Sequence, residues 1–206
     1  MKGNWVITIG REFCSGGADT GRKVAEHFGI PYYDKEIIDK TAELLNMSVD
    51  DITAEDEKPA GFWDYPGYQY SNYWYAQDPS LMMPINMRVA TAQFDAIRGY
   101  AQSGPCVIIG RCADYVLQNR ENVLSVFIRS DMEKRIERAQ QLYGYGTAEA
   151  KKLLRRTDRI RANYYPRHTQ QEWGNSESYN MILDAGKLGT DNAAAIIIHT
   201  IELLDK

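Results

Sequence analysis

The sequence predicts a three-layer α/β/α domain around a five-stranded parallel sheet. Short strand-like runs alternate with amphipathic helical segments on both sides of residues 46–88 in the 206-residue chain. Those runs are near-continuously apolar rather than alternating, as in parallel strands covered on both faces. The first run also leads through a Gly/Ser turn straight into a helix, the opening move of a βα unit.

Asn4–Ile9 (NWVITI) is β-branched, apolar and bounded by glycine, and reads as a buried strand. In the helix that follows, DTGRKVAEHF, Gly21, Val24, Ala25 and Phe28 share one face, and Gly29 is a C-terminal stop. Ile30–Asp34 is a short strand and KEIIDKTAELL a second helix. Residues 46–88 break the pattern and are expected to form an insertion. Its first part is acidic, and eight aromatics crowd between Phe62 and Tyr75, too many to leave in water without a purpose. The helix INMRVATAQFDAIRGYA leads to the buried strand PCVIIG, and Val123–Ile128 forms a fourth strand. Ser130 and Glu133 have capping-box spacing and open the next helix. Residues 147–164 are helical and basic within an expected lid over 144–175, YNMILDA is the fifth strand, and TDNAAAIIIHTIELL closes the chain with Ala194, Ile197, Ile198 and Ile201 on one face. The whole is expected to be a single domain.

Composition narrows the function. A net charge of −4 argues against a dedicated nucleic-acid binder. Three irregularly spaced cysteines suit neither a disulfide framework nor a zinc ribbon, and His27, His168 and His199 show no ligand spacing. The N-terminus has no signal-like apolar core and no run is long enough to span a bilayer, so a cytoplasmic protein that does not enter the membrane is expected.

The informative stretch is Ile9–Gly21, IGREFCSGGADTG. Glycines between a strand and a helix let backbone N–H groups converge on an anion, and the helix dipole favours negative charge there. The pattern G-x-x-x-x-G-K-[ST] is not met. With Gly16 as the last loop glycine, Arg11 stands at the first glycine position, Gly17 at the lysine, and Ala18 and Asp19 at the hydroxyls. An ordinary βα turn would share these glycines. Cys14 either fills a small-residue position or is a thiol activated by the helix N-terminus.

Three further features bear on phosphate chemistry. Gly110-Arg111 ends a central strand, where open parallel sheets bind ligands, and arginine can fork two N–H groups onto a phosphate. The run KKLLRRTDRIRANYYPRH carries seven Lys and Arg against a single acid, Asp158, and places Arg155, Arg156 and Arg159 on one helix face. A solvated helix face or a nucleic-acid patch would look the same. Asp34 and Asp184 close strands, where each could orient a substrate, pair with an arginine or cap a helix, and Asp19 could help hold a metal.

Together these blocks resemble the cytidylate kinase-like family, P-loop relatives of the nucleoside monophosphate kinases. The opening ITIGREFCSGGADTGRKVAEHFGIPYYDKEII, then CVIIGRCADYVL, FIRSDMEKRIER and RRTDRIRANYY…WGNSESYNMILDAGKLG match its blocks in order. The resemblance implies a P-loop kinase-like fold with a substrate-binding insertion and an arginine-rich lid. It also implies phosphoryl transfer from ATP, with Mg²⁺, to a small acceptor, of which a nucleoside monophosphate such as CMP is the example the family offers. True cytidylate kinases carry the loop lysine; members of this family commonly lack it, as here at Gly17, and Ala18 departs further.

On that reading Arg11, Ser15, Gly16, Gly17, Ala18 and Asp19 hold the donor, with Arg11 or Arg22 standing in for the lysine. Arg111, Asp34 and Asp114 hold the acceptor, and Arg111, Arg156, Arg159 and Arg161 stabilise the transferring group. A nucleotide sensor with little turnover is the alternative that the missing lysine suggests, and an RNA-binding protein the one that the basic run and aromatics suggest. Trp63, Trp74 and Tyr75 suit a homodimer interface as well as a substrate lid.

Overall fold

A computed structural model of the chain describes residues 3–57 and 83–206. The aromatic stretch Phe62–Tyr75, and with it the expectations for Trp63, Trp74 and Tyr75, lies outside the described residues. The chain divides into two compact units, Met1–Asp34 with Ile97–Lys206, and Lys35–Ala96.

The first unit holds the sheet: β1 (Val6–Arg11), β2 (Tyr32–Tyr33), β3 (Cys106–Ile109), β4 (Val123–Arg129) and β5 (Met181–Asp184). All pairings are parallel and the order is β2-β3-β1-β4-β5. The architecture is the expected α/β/α arrangement. On one face Ile7, Ile9, Val126 and Ile128 pack against Val24 and Ala25 of α1 (Gly17–Phe28) and against Ala194, Ile197 and Ile201 of α9 (Thr190–Leu204). Strand alternation turns Phe127 to the other face, where Trp173 meets it edge-on at 5.3 Å and Tyr179 lies at 5.1 Å. Gly10 pairs with Phe127 in register. A Cβ on Gly10 would lie 2.9 Å from that ring and 3.0 Å from Tyr179, so this glycine makes room for aromatic packing.

Several boundaries move for identifiable reasons. α1 begins two residues before the expected Asp19, because Gly16 takes a left-handed conformation (φ 94°) and turns the chain into the helix. β2 shrinks to the two residues that pair with β3. The expected Ser130 cap is displaced by one residue: β4 runs to Arg129, Ser130 donates its N–H to Glu12 (2.8 Å), and Asp131 caps α6 (Met132–Tyr143) by accepting from Lys134 N–H at 2.9 Å. After a short turn, α7 (Thr147–Thr169) runs past the expected end at 164, through Pro166. Four-residue helices α5 (Ala113–Val116) and α8 (Ala185–Leu188) follow β3 and β5.

The second unit contains α2 (Glu36–Leu45), α3 (Val49–Glu57) and the start of α4 (Ile85–Ser103). Ala42, Ile52 and Val89 form its small core. The sequence reading passed over α3, whose start is nonetheless encoded: Ser48 Oγ accepts the Asp51 N–H at 3.1 Å and donates to its carboxylate at 2.6 Å. Asp50 and Asp51 also place negative charge in the first turn. Among the described residues, no helix is long and apolar enough to cross a membrane.

Candidate functional site

β1 lies between β3 and β4, so its C-terminal end opens where successive connections leave in opposite directions, the crevice where open α/β sheets bind ligands. The loop Glu12–Gly16 spans this end. Glu12 N–H donates to Ile128 O (3.1 Å), and Ser15 N–H turns back onto Glu12 O (3.3 Å). Ser15 is buried, its hydroxyl shared between the carbonyls of Glu12 and Ile128 at 2.9 Å each. Cys14 and Gly16 are both left-handed. No side chain caps α1, and the first N–H groups of a helix have no intrahelical acceptor. The amides without an intrahelical acceptor are therefore those of Gly16 to Asp19, with Ser15 building the turn beneath them.

Gly17, at the lysine position, has no space for a side chain. A Cβ there would sit 2.5 Å from Arg11 Cβ and 3.3 Å from Ile128 Cβ. Arg11 occupies that volume. Its guanidinium lies against Gly110, where a Cβ would collide with it, and pairs with Asp34 at 3.4 Å. Arg22 is elsewhere, over the ring of Tyr32. Of the two substitutes for the lysine weighed from sequence, only Arg11 lines the loop cavity.

That cavity, about 210 Å³, also takes in Arg161, Arg138, Asp19 and Asp34. Arg161 donates to Arg11 O (3.0 Å) and stands over the Phe13 ring at 5.5 Å. Burial, with Arg11 and Arg111 close by, pushes its guanidinium down to about 9, against the opposing pull of Asp158 and Asp34. Arg111 is itself held in a left-handed turn, Gly110-Arg111-Cys112, with all three φ between 56° and 68°. Such backbone costs about 1–2 kcal/mol per non-glycine residue. Arg11 and Arg161 thus line one cavity from β1 and α7, while Arg111 is not among its lining residues and acts on Arg161 through its charge.

Arg138, which the sequence reading missed, pairs with Asp19 at 2.6 Å and approaches the α1 N-terminus so closely that a Cβ on Gly16 would meet it at 2.9 Å. Its signal was its place three residues after Arg135 on a helix following β4. Arg156 and Arg159 are exposed and do not line the cavity; only Arg161 of the three lid arginines does. Asp114 lies in a separate cavity of about 260 Å³, with Gln171 and Tyr179. There the Tyr165 hydroxyl donates to it, and burial pushes its carboxyl up to about 6. Asp184 caps α8 through Gly186 and Lys187 N–H. Burial raises the Cys14 thiol despite Arg135, Arg138 and Arg161 nearby, which fits the small-residue role and not an activated thiol. Among the described residues no three His, Cys, Asp or Glu side chains form a metal-ligand group.

A glycine loop on a helix N-terminus, ringed by arginines at the end of a central parallel strand, is matched by a family model of the cytidylate kinase-like family over residues 6–187. The chain belongs to the cytidylate kinase-like family. This family member is 22% identical to a cytidylate kinase from Methanopyrus kandleri, over 97% of this chain and 94% of that protein. Its fold is similar to that of an uncharacterized protein from Eubacterium ventriosum (TM-score 0.72, 28% identity, 96% of this chain and 98% of that one). It also resembles a shikimate kinase from Bacteroides thetaiotaomicron (TM-score 0.57, 13% identity, 96% and 98%), a likeness of fold alone. The kinase-type P-loop architecture is therefore present with Arg11 where that loop's first glycine would be and Gly17 where its lysine would be.

Proposed function

We propose that this family member transfers a phosphoryl group from ATP to a nucleoside monophosphate, with CMP as the preferred acceptor. The observation that carries the reading is the set of three arginines, Arg11, Arg138 and Arg161, that line the cavity at the α1 N-terminus. Like charges held this close, with Arg161 largely buried, repel one another, and an anion between them relieves that repulsion. Phosphoryl transfer needs such a place, because its transition state spreads negative charge over the moving oxygens.

The amides of Gly16 to Asp19 hold the donor phosphates and Arg138 neutralises them from α6. Arg11, kept in place by Asp34, takes the lysine's part from the opposite end of the loop. Arg111 and Arg161 bear on the transferring group and the acceptor phosphate. A phosphate acceptor attacks through an oxygen already ionised near neutral pH, since its second pKa is about 6, so no general base is required. Asp19, half-exposed on the first turn of α1, is a single carboxylate beside the phosphate site. That fits Mg²⁺, which keeps several waters and binds one or two carboxylates plus phosphate oxygens. Bound Mg²⁺ would supply further charge neutralisation.

Purified protein with Mg-ATP and a panel of nucleoside monophosphates is expected to release ADP, fastest with CMP. Arg161→Ala should lower kcat about 10³-fold. Folded protein that binds ATP yet releases no ADP with any acceptor would make it a sensor; binding neither ATP nor phosphate would sink the phosphate site altogether.

Asp19→Asn separates two duties of that carboxylate. Without metal, calorimetry should show ATP binding several-fold tighter, because Arg138 is released and one negative charge is gone. With Mg²⁺, turnover should fall. No change in either measurement would remove Asp19 from the site.

A further inference from the structure

Asp158 is the single acid within the basic run of α7, and the mechanism above leaves it without a task. Its carboxylate accepts the Phe13 N–H at 2.8 Å. On the other side of the same residue, Arg135 Nε of α6 donates to Phe13 O at 2.8 Å. Arg135 and Asp158 also pair with each other. Arg135 is almost wholly buried, at 3% exposure, and its remaining nitrogen lies 3.5 Å from Glu12. Glu12 in turn accepts the Ser130 N–H at 2.8 Å. An acceptor and a donor from two helices thus meet the donor and acceptor of one loop residue, as an adjoining strand would.

We infer that Arg135 and Asp158 are positioning residues: together they clamp the Phe13 backbone and fix the curvature of the loop whose next turn presents the Gly16–Asp19 amides to phosphate. The inference rests on the phosphate-binding role proposed above. A loop without a lysine to draw its ligand inward depends the more on being pre-shaped, since misplacement of fixed donors by about 1 Å is costly. With the Phe13 N–H held by Asp158, that group is unavailable to a ligand. The clamp also ties α6 and α7 to the loop well below the Gly144–Gly146 turn that joins them, so any movement of that hairpin pivots on the turn side of the clamp.

Hydrogen exchange in the intact protein tests the contact without any ligand. The Phe13 amide should exchange as slowly as amides of β1, although it lies in a loop. Exchange at the rate of an exposed loop amide overturns the clamp. Calorimetry with inorganic tripolyphosphate then tests its purpose on two variants. Asp158→Asn keeps an oxygen for the Phe13 N–H but loses the charge; Asp158→Ala loses both. The Ala variant is expected to speed Phe13 exchange at least tenfold and to weaken tripolyphosphate binding about tenfold, with the Asn variant within threefold of wild type in both. Equal losses in the two variants would mean that Asp158 merely balances the charge of Arg135, and wild-type affinity in the Ala variant would mean that the clamp has no bearing on binding; either overturns the inference. If Asp158→Ala does not fold, the Asn variant decides, because a tenfold loss there is the charge-balance result. Wild-type protein that binds no tripolyphosphate or ATP overturns the phosphate site and the clamp's purpose with it, whereas the Phe13 exchange rate still reports on the clamp alone.

Discussion

Gly17→Lys, which restores the lysine missing from the loop, is expected to impair the protein rather than improve it. A Cβ at residue 17 would stand 2.5 Å from Arg11 Cβ and 3.3 Å from Ile128 Cβ, the first side-chain atoms of two residues paired across central strands, which cannot swing away as a side-chain tip could. Overpacking of this kind costs about 1–3 kcal/mol. In a chain of this size that lowers Tm by roughly 2–4 °C per kcal/mol, and the displaced Arg11 weakens ATP binding as well. Arg11→Gly alone loses the Asp34 pair and one of the three arginines that line the cavity. The two changes together restore the ordinary arrangement of glycine first and lysine last, and the double variant should bind ATP better than either single one. Thermal melts and ATP titrations on all four proteins form a cycle whose coupling should be favourable by at least about 0.5–3 kcal/mol. Additive losses would show that Arg11 and Gly17 are independent and that no exchange of side chains has occurred.

The second large effect is in stability against pH. Burial lifts the Asp114 carboxyl to about 6 from its ordinary 3.8, although the Tyr165 hydroxyl and nearby backbone amides favour its charged form. A folded-state value above the unfolded one means that the folded chain holds an extra proton between about pH 4 and pH 6. The group's favourable contribution is therefore complete below pH 4 and is lost as pH rises through 6. About two units at 1.36 kcal/mol each makes this a loss of roughly 3 kcal/mol at pH 7.5. Asp114→Asn keeps an oxygen for the Tyr165 hydroxyl and removes the titration. Melting curves should show no gain for the variant near pH 4 and a gain of several degrees at pH 7.5. Parallel curves for the two proteins from pH 4 to pH 8 would contradict the raised value.

Much of the fold was legible because its signals are local. The apolar runs of β1, β3 and β4, the Gly29 stop and the inward face of α9 each declare themselves within a dozen residues. Where the reading slipped, a partner distant in sequence intervened. Ser130 has the spacing of a cap, but Glu12 claims its N–H and moves the cap to Asp131. α3 was overlooked because its acidic composition hid the Ser48–Asp51 cap, which only a residue-by-residue reading of the turn would find.

The candidate site divides in the same way. The sequence alone determined a strand–glycine loop–helix unit, the absent lysine, and an arginine at the end of β3, because residue type and order suffice for these. It could not choose between the faces of α7: Arg156 and Arg159 share one side of a helical net and Arg161 stands on another, and only the way α7 packs turns Arg161 inward and leaves the other two in solvent. Nor could it bring Arg138 to Asp19, or Arg135 and Asp158 to Phe13, contacts that span more than a hundred residues of chain. Those pairings depend on two helices crossing the end of a sheet, and a pattern of neighbours along the chain carries no record of that geometry. The same holds for the volume at Gly17. A missing lysine is visible in one dimension, but that Arg11 fills its place is a fact of packing.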